Sequence, residues 1–384
     1  MQVLPTTSAT SGIRSRPRFA EPAPADAAPE AGPELLLNSS VALPRLLDAV
    51  RGAKLVVNIS MYGWLDSGSG AELARAVEQK AREGVEVNVM LDGRGSMVGP
   101  FLRGTKLVAS MRAAGVNVIV NDSLIPLVDG PVDHCKLYSI DGRTGFLGGM
   151  NLSKTYDTWN DAMVTLDRSG AINAGRDFLA RWVARGGKVS AINDRLIVRP
   201  ATEPAPDGTR ILANHPGSSA PITDAYYAAI ATARHRIWVE TPFLGSQALV
   251  DALKAAALRG VDVRLVTNGL RTNDAVPGAN LLAAGFYAEL MRAGVKVYQQ
   301  AQMTHSKIML ADDVATVGSF NLTTRSEGKH FEIAAQSGAA SLVASVGAMF
   351  DAHMGAGYLV TPEDLTNPSQ RFLTLLRTAL KIQY

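Results

Sequence analysis

Two histidines and two lysines recur in this chain at the same spacing, in segments far apart along the sequence. His134 and Lys136 lie two residues apart, and His305 and Lys307 repeat that spacing 171 residues later. An imidazole can attack phosphorus or carry a proton near neutral pH, because its unperturbed pKa is about 6.5. A lysine ammonium stabilises the negative charge that a phosphate gains as its bonds rearrange. The repeat therefore predicts phosphoryl-transfer chemistry at one site that both copies supply.

Each histidine is followed by further polar residues in a fixed order that ends in a carboxylate. The first aspartate pair keeps the offset of 171, the asparagine pair has 170, and the last carboxylate pair returns to 171. Length changes therefore fall between the polar positions, as expected when the loops vary freely and the polar side chains are functional. The matched pairs are Asp141 and Asp312, Gly149 and Ser319, Asn151 and Asn321, and Asp161 and Glu332.

The residue types suggest how the pairs divide the work. Residues two apart on a β-strand project from one face, so each His-x-Lys pair should enter a shared cleft. The amides of Asn151 and Asn321 add hydrogen-bond donors, and we predict that both bind phosphate. Gly149 and Ser319 are either ordinary turn residues or positions where the backbone approaches phosphate closely, and we predict the second role.

The carboxylates divide into two kinds. Asp161 and Glu332 each lie 27 residues after the histidine of their own copy. A carboxylate behind an imidazole fixes its tautomer and stabilises its charged form, so we predict that each orients that histidine. Asp141 and Asp312 belong to the repeated motif and are candidate catalytic residues. They sit at turns, however, where aspartate is common, and this favours a structural or supporting role.

The other histidines lack this repeated context. We interpret His215, His235 and His353 as surface or core residues. The counterpart of His330 in the repeat is Trp159, so we place His330 outside the duplicated site. Two histidines without a tight third ligand make a poor zinc site, and we expect neither a metal nor a cofactor.

The repeat extends to the elements that must position these side chains. Apolar alternation predicts paired strands beginning near residues 54 and 236, 84 and 260, and 115 and 294. Helical patterns fall between them, over 71–83, 106–114, 247–259 and 280–293. This order predicts an α/β protein with two α/β/α-sandwich halves, a pseudo-two-fold axis and the active site between the halves. We assign residues 35–200 to the first half and 201–384 to the second half, joined at the proline-rich stretch 200–206.

Composition narrows the class of protein. The 384 residues are 47% hydrophobic and 19% charged with a net charge of +3, as in an ordinary globular protein. No basic run is present, which disfavours a nucleic-acid partner.

The one cysteine, Cys135, excludes an internal disulfide, and strand alternation should turn it into the core. No apolar run has transmembrane length. Residues 1–34 are predicted to be a disordered tail, whose arginines leave export open.

The motif His-x-Lys-x4-Asp-x6-Gly-Gly/Ser-x-Asn resembles the signature of the phospholipase D superfamily. The first copy matches it throughout, and the second has five residues rather than six before Gly318. The segments 140–152, 159–161, 240–243, 259–263, 321–326 and 331–332 look like those of bacterial cardiolipin synthases. The resemblance implies a metal-independent phosphatidyltransferase that forms a phosphohistidine. It also implies that His134 is the nucleophile and His305 the general acid, which the residues alone do not distinguish.

Several functions remain open from the sequence. Transfer and hydrolysis share the covalent intermediate and differ in whether an alcohol or water attacks it. A nuclease of the same superfamily is disfavoured by the absence of basic clusters with interleaved aromatic residues. A non-catalytic binding module is disfavoured by two intact motifs. We expect a cytoplasmic monomer with an internal pseudo-dimer, a phospholipid substrate and peripheral membrane contact. Residues 371–384 are either an amphipathic contact for that membrane or a packed helix.

Overall fold

Two mixed β-sheets carry the repeated sequence. The computed structural model describes residues 32–97, 104–121, 131–201, 205–269, 272, 280 and 283–366. The strands of the first sheet are β1 (Leu35–Leu37), β2 (Val56–Met61), β3 (Glu86–Asp92), β4 (Asn117–Asn121), β5 (Lys136–Ile140), β6 (Thr144–Gly148) and β7 (Ala162–Leu166). The strands of the second sheet are β8 (Arg210–Asn214), β9 (Arg236–Thr241), β11 (Asp262–Asn268), β12 (Lys296–Gln300), β13 (Ile308–Ala311), β14 (Val314–Gly318), β16 (Glu332–Ser337) and β17 (Tyr358–Leu359).

The two sheets share one topology. The strand order is β1-β7-β6-β5-β2-β3-β4 in the first and β17-β12-β11-β9-β13-β14-β16-β8 in the second. In each sheet three neighbouring strands are parallel, and the strand at the His-x-Lys motif, β5 or β13, pairs antiparallel with β2 or β9. Two short strands, β10 (Leu244–Gly245) and β15 (Leu322–Thr323), pair separately. The predicted duplicated α/β fold is therefore confirmed, whereas the boundary near residue 200 stays a prediction.

Helices cover the faces of these sheets. Within the described residues they are α1 (Asn38–Gly52), α2 (Ser69–Arg82), α3 (Gly104–Ala113), α4 (Arg168–Ala184), α5 (Ala191–Asn193), α6 (Pro221–Thr232), α7 (Gln247–Leu258), α8 (Tyr287–Arg292), α9 (Thr324–Gly328) and α10 (Ala340–Ala356). Side-chain oxygens of Asp167 and Ser246 accept backbone N–H bonds at the starts of α4 and α7, as helix N-caps do. The predicted helix over 280–293 is represented by α8, and residues 281–282 lie outside the described ranges.

Buried apolar residues form three clusters that explain the layering. One lies between the first sheet and helices α1, α2 and α3, and a second lies between the second sheet and α6, α7 and α8. The third contains residues of both sheets together with α4 and α10. Cys135 belongs to this shared cluster and is 1% exposed, which confirms that it packs in the core. The two halves therefore meet across an apolar layer next to the His-x-Lys motifs.

Candidate active site

The backbone around each histidine is held by the other half of the chain. The amide of His134 donates to the carbonyl of Phe331, and the amide of Phe331 donates to the carbonyl of Val132. Asn160 makes the same contacts around His305, because its carbonyl accepts from the His305 amide at 2.6 Å. Both histidines therefore precede their strands, which is a correction to the prediction that they lie on them. Their backbone amides form hydrogen bonds with the other half of the chain, so these amides cannot also pair with a neighbouring strand of the same sheet.

Two carboxylates lie behind the two imidazoles, and the pairs are crossed between the halves. Nδ1 of His134 lies 2.9 Å and 3.1 Å from the two oxygens of Glu332. Nδ1 of His305 lies 2.6 Å from Oδ2 of Asp161. The predicted pairing of each histidine with the carboxylate of its own copy is therefore wrong. Each Nδ1–H donates to a carboxylate, so Nε2 is the ring nitrogen left to meet a substrate.

The two lysines of the motif are fully buried. Lys136 and Lys307 are 0% and 1% exposed, and each ammonium donates to the carbonyl of the histidine two residues earlier. Burial lowers the pKa of Lys136 to about 8, although Glu332 and Asp161 act in the opposite direction. Burial and the charge of Lys136 hold the pKa of Lys307 well below its ordinary value, again against nearby carboxylates. An anion placed between these ammoniums would stabilise their charged forms.

The two asparagines of the motif are also buried. Asn151 and Asn321 are 7% and 6% exposed. Oδ1 of Asn151 accepts from the amide of Gly63, which directs its side-chain N–H groups elsewhere. Oδ1 of Asn321 is buried and has no hydrogen-bond partner among the described residues. Their assignment to phosphate binding stays a prediction.

The Gly149 and Ser319 positions contact the carboxylates. A side chain at Gly149 would place its Cβ 2.2 Å from Oδ1 of Asp161 and 3.1 Å from the carbonyl of His305. The hydroxyl of Ser319 donates to Oε2 of Glu332 at 2.5 Å. Its one hydrogen is thus committed to that carboxylate, a different contact from the predicted phosphate contact. The missing side chain at Gly149 leaves room for Asp161, and the hydroxyl of Ser319 holds Glu332 in place.

Asp141 and Asp312 bond to backbone rather than to the histidines. Both have positive φ angles, 53° and 46°, at the turn that follows the His-x-Lys strand. The carboxylate of Asp141 accepts from the amides of residues 54–56, each at 2.8 Å. That of Asp312 accepts from the amides of residues 234–236 at 2.9–3.0 Å. These contacts fix the starts of β2 and β9, in line with the supporting role favoured above.

Sequence reasoning missed His330. Its ring centroid lies 6.1 Å from that of His134, and its Nδ1 lies 3.9 Å from Oε1 of Glu332. Burial lowers the pKa of His330 to about 4, against the charge of Glu332. Its counterpart Trp159 lies 5.2 Å from the ring of His305. His330 lies two residues before Glu332, and Trp159 lies two residues before Asp161, the two carboxylates that orient the histidines. This spacing in the sequence would have placed both residues beside the histidines.

The two imidazoles differ in their electrostatic surroundings. Burial and the charges of the two lysines hold the pKa of His134 well below its ordinary value. Burial and the charge of Lys307 lower the pKa of His305 to about 4, while Asp161 acts in the other direction. Burial alone would raise the pKa of Asp161, but His305 and Lys307 bring it below its usual value. Burial raises the pKa of Glu332 despite its charged and hydroxyl neighbours. The carboxylate behind His305 is therefore the stronger anion.

The arrangement suits transfer of a phosphorus group between two oxygens. The two imidazoles, the two ammoniums and the two amides of the motifs are all buried, and each imidazole keeps Nε2 for a substrate. One imidazole can therefore attack while the other supplies a proton. Across the described ranges, no group of three or more His, Cys, Asp or Glu side chains is placed to hold a metal ion. No helix in the part of the chain that the structure describes is long and apolar enough to cross a membrane. Residues 371–384 and 1–31, with their predicted roles, lie outside the described residues.

Sequence comparison identifies similar proteins. The family model described as "Cardiolipin synthase, PLD-like domain" matches residues 46–180 and 226–354. The chain is 29% identical over 313 residues to "Cardiolipin synthase 2" of Bacillus anthracis, covering 78% of this chain and 60% of that protein. It is 29% identical over 317 residues to "Probable cardiolipin synthase YwiE" of Bacillus subtilis strain 168, covering 78% and 61%. The chain thus spans about three fifths of the length of these relatives.

Solved structures share the fold. The phosphatidylserine synthase of Haemophilus influenzae Rd KW20 superimposes with a TM-score of 0.68 at 13% identity, covering 91% of this chain and 93% of that one. The polyphosphate kinase of Porphyromonas gingivalis gives a TM-score of 0.57 at 14% identity and covers 53% of that chain. At these identities the likeness concerns the fold alone.

Proposed function

The chain belongs to the phospholipase D-like family of cardiolipin synthases, and we propose that it transfers a phosphatidyl group between phospholipids. The donor and the acceptor are then both phospholipids, and the protein works at a membrane surface by peripheral contact. A single chain carries both histidines, so a monomer has a complete site. The crossed contacts of His134 with Glu332 and of His305 with Asp161 carry this proposal. They leave two Nε2 atoms free in one buried cleft.

In the first step, Nε2 of neutral His134 attacks the phosphorus of the donor. The P–N bond forms as the bond to the headgroup oxygen breaks, and that oxygen takes the proton on Nε2 of His305. Asp161 and the bound phosphate anion stabilise this protonated form against the burial that lowers its pKa. The product is a phosphatidyl group on His134 and a free alcohol. Neutral His134 suits the attacking role, because burial and the lysine charges oppose its protonation.

In the second step, the acceptor hydroxyl gives its proton to Nε2 of His305 and attacks the same phosphorus. The P–N bond breaks and both histidines return to their starting states. Asp161 supports this cycle because a strongly anionic carboxylate stabilises the imidazolium of His305. The family resemblance and this electrostatic difference favour the same assignment of nucleophile and acid.

Charge on the phosphoryl oxygens grows while bonds to phosphorus rearrange. Lys136 and Lys307 supply two buried ammoniums, and Asn151 and Asn321 supply buried neutral donors. Preorganised donors in a buried site stabilise such charge more than water does, because they need not reorient during the reaction.

The test is incubation of the purified protein with phosphatidylglycerol vesicles, with and without EDTA, followed by mass spectrometry of the lipids. We expect cardiolipin and glycerol in both samples. Phosphatidic acid alone would replace the transferase by a hydrolase of the same mechanism. Cleavage of DNA without turnover of any phospholipid would replace it by a nuclease. A His134→Asn variant with full activity would contradict the covalent mechanism.

A further inference from the structure

The residue that precedes each catalytic histidine is buried and forms hydrogen bonds with a further set of buried polar residues. Beneath His134 this residue is Asp133, which is 1% exposed. Its carboxylate accepts from Arg181 at 2.7 Å and from the Ser60 hydroxyl at 3.3 Å. Its amide donates to Asp92 at 3.0 Å. An arginine keeps its charge at any physiological pH, so this support is insensitive to protons.

Beneath His305 the same four positions hold different residues. Strands β2 and β9, strands β3 and β11, and the 17-residue helices α4 and α10 are equivalent in the two sheets, and this fixes the correspondence. The replacements are Thr304 for Asp133, Glu240 for Ser60, His353 for Arg181 and Asn268 for Asp92. In the second half the carboxylate lies on the strand rather than on the loop, and a histidine occupies the position of the permanently charged arginine.

The contacts beneath His305 form a continuous chain. Nδ1 of His353 lies 2.6 Å from Oε2 of Glu240, which is 0% exposed. The hydroxyl of Thr304 donates to the other oxygen of that carboxylate. Asn268 holds the backbone of Thr304 from both sides, accepting from its amide at 2.9 Å and donating to its carbonyl at 2.7 Å. The peptide bond after Thr304 leads directly to His305.

We propose that Glu240 and His353 are positioning residues for His305, acting through Thr304, and that protonation of His353 sets how firmly His305 is held. This proposal rests on the proposed function, in which His305 is the general acid. The support of His134 runs through Arg181, which keeps its charge, so the two catalytic histidines differ in their response to pH. A buried carboxylate that loses its cationic partner is strongly destabilised, and the segment it supports loosens with it.

The charges around His353 support this assignment. Helix α10 packs against β1, β11, β12, β13 and β14. The charged residues of these strands are Asp262 and Arg264 on β11 and Lys296 on β12, and both cations pair with Asp262. Glu240 on β9 is the charged group bonded to His353. Burial alone would lower the pKa of His353, but the hydrogen bond and charge of Glu240 raise it above 6.5.

The sign of the pH effect follows from this raised pKa. The pair contributes its full stability below the pKa of an unfolded histidine, about 6.5. That contribution is lost as pH rises through the higher pKa of folded His353. His305 should therefore be held less firmly on the alkaline side, and the support of His134 should not change.

The test compares wild type with His353→Arg, which copies the first half, from about pH 6 to about pH 9. On the alkaline side, initial rates with phosphatidylglycerol vesicles should fall further in wild type than in His353→Arg. The titration of His305 itself is common to both proteins and cancels in this comparison. The isosteric Glu240→Gln should lower kcat by roughly 10- to 100-fold with little change in KM and remove the pH difference, as expected when a catalytic group shifts slightly. His235→Arg, at an exposed histidine, is the matched control.

Amide exchange provides a readout that needs no activity. At alkaline pH, the peptide containing Thr304 and His305 should exchange faster in wild type than in His353→Arg, and the peptide containing His134 should not differ. Equal exchange in both proteins, or the same alkaline loss of rate, would overturn the positioning role. Wild type that turns over no phospholipid but shows the difference in exchange would overturn the proposed function and leave the support of His305 intact.

Discussion

Nδ1 of His305 lies 2.6 Å from Oδ2 of Asp161, a residue that precedes it by 144 positions and belongs to the other half of the chain. The matching contact joins His134 to Glu332. Each half therefore supplies the imidazole of one pair and the carboxylate of the other. The site is a joint product of the two halves.

Asp161 and Glu332 should differ in how the loss of their charge affects activity toward different leaving groups. Asp161→Asn should lower kcat by roughly 10²- to 10⁴-fold, because the imidazolium of His305 loses its anion. The loss should shrink with a p-nitrophenyl phosphodiester, whose leaving group needs no proton. Glu332→Gln should lose activity to the same extent with alkyl and nitrophenyl substrates. Identical leaving-group dependence in the two variants would contradict the assignment of His305 as the acid.

The two histidines should separate when each is replaced in turn. His134→Asn should abolish covalent labelling by phospholipid, because no nucleophile remains. His305→Asn should still form phosphohistidine from a nitrophenyl substrate and release it slowly. Intact-mass spectrometry under alkaline conditions measures the adduct, and its appearance in His134→Asn would reverse the two roles.

Gly149 should tolerate no side chain. A Cβ there would lie 2.2 Å from the carboxylate of Asp161, so Gly149→Ala should displace Asp161 and lower kcat by about 10²-fold. Gly52→Ala is the control, because nothing lies within 4 Å of a Cβ at that helical position. Activity of both variants is compared at matched folding, judged by thermal unfolding. Unchanged activity in Gly149→Ala would mean that Asp161 moves without consequence.

Arg181 should dominate the stability of the first half. Its guanidinium lies 2.7 Å from both Asp133 and Asp177, and the side chains of Arg181, Asp133 and Asp177 are 2%, 1% and 9% exposed. Arg181→Met leaves two buried carboxylates without this partner and should lower the free energy of unfolding by about 3–5 kcal/mol. Arg199→Met breaks an exposed pair with Asp194 and should change it by less than about 0.5 kcal/mol. Urea unfolding measures both, and equal losses would refute the difference.

The sequence predicted what depends on periodicity and local chemistry. The paired strands and the intervening helices follow from alternation, and the repeated His-x-Lys spacing indicated that the two copies act together. Helices α4 and α10 were not assigned, although both have 17 residues and cover the same layer. Glycines at 170 and 175 interrupt the apolar pattern of α4, since they add no side chain to its buried face.

The crossed pairing was beyond reach of the sequence for a physical reason. Asp161 and Glu332 stand at the same distance from their own histidines, and spacing carries no information on which half a carboxylate faces. The role of His353 was hidden in the same way. It pairs with Glu240 across 113 residues, and its counterpart Arg181 shares only its charge. Such pairs form where strands and helices meet in three dimensions.

If the chain acts on lipids as proposed, the reciprocal bonds between the halves limit how a lipid can reach the histidines. If the sheets swung apart as two jaws, both imidazoles would lose their carboxylates, and the backbone bonds at Phe331 and Asn160 would break with them. Such an opening would thus break the contacts that orient both histidines during each turnover. The halves are expected to stay together throughout. A lipid substrate of the proposed kind would then have to enter and leave without separation of the two sheets, while the scaffold stays rigid.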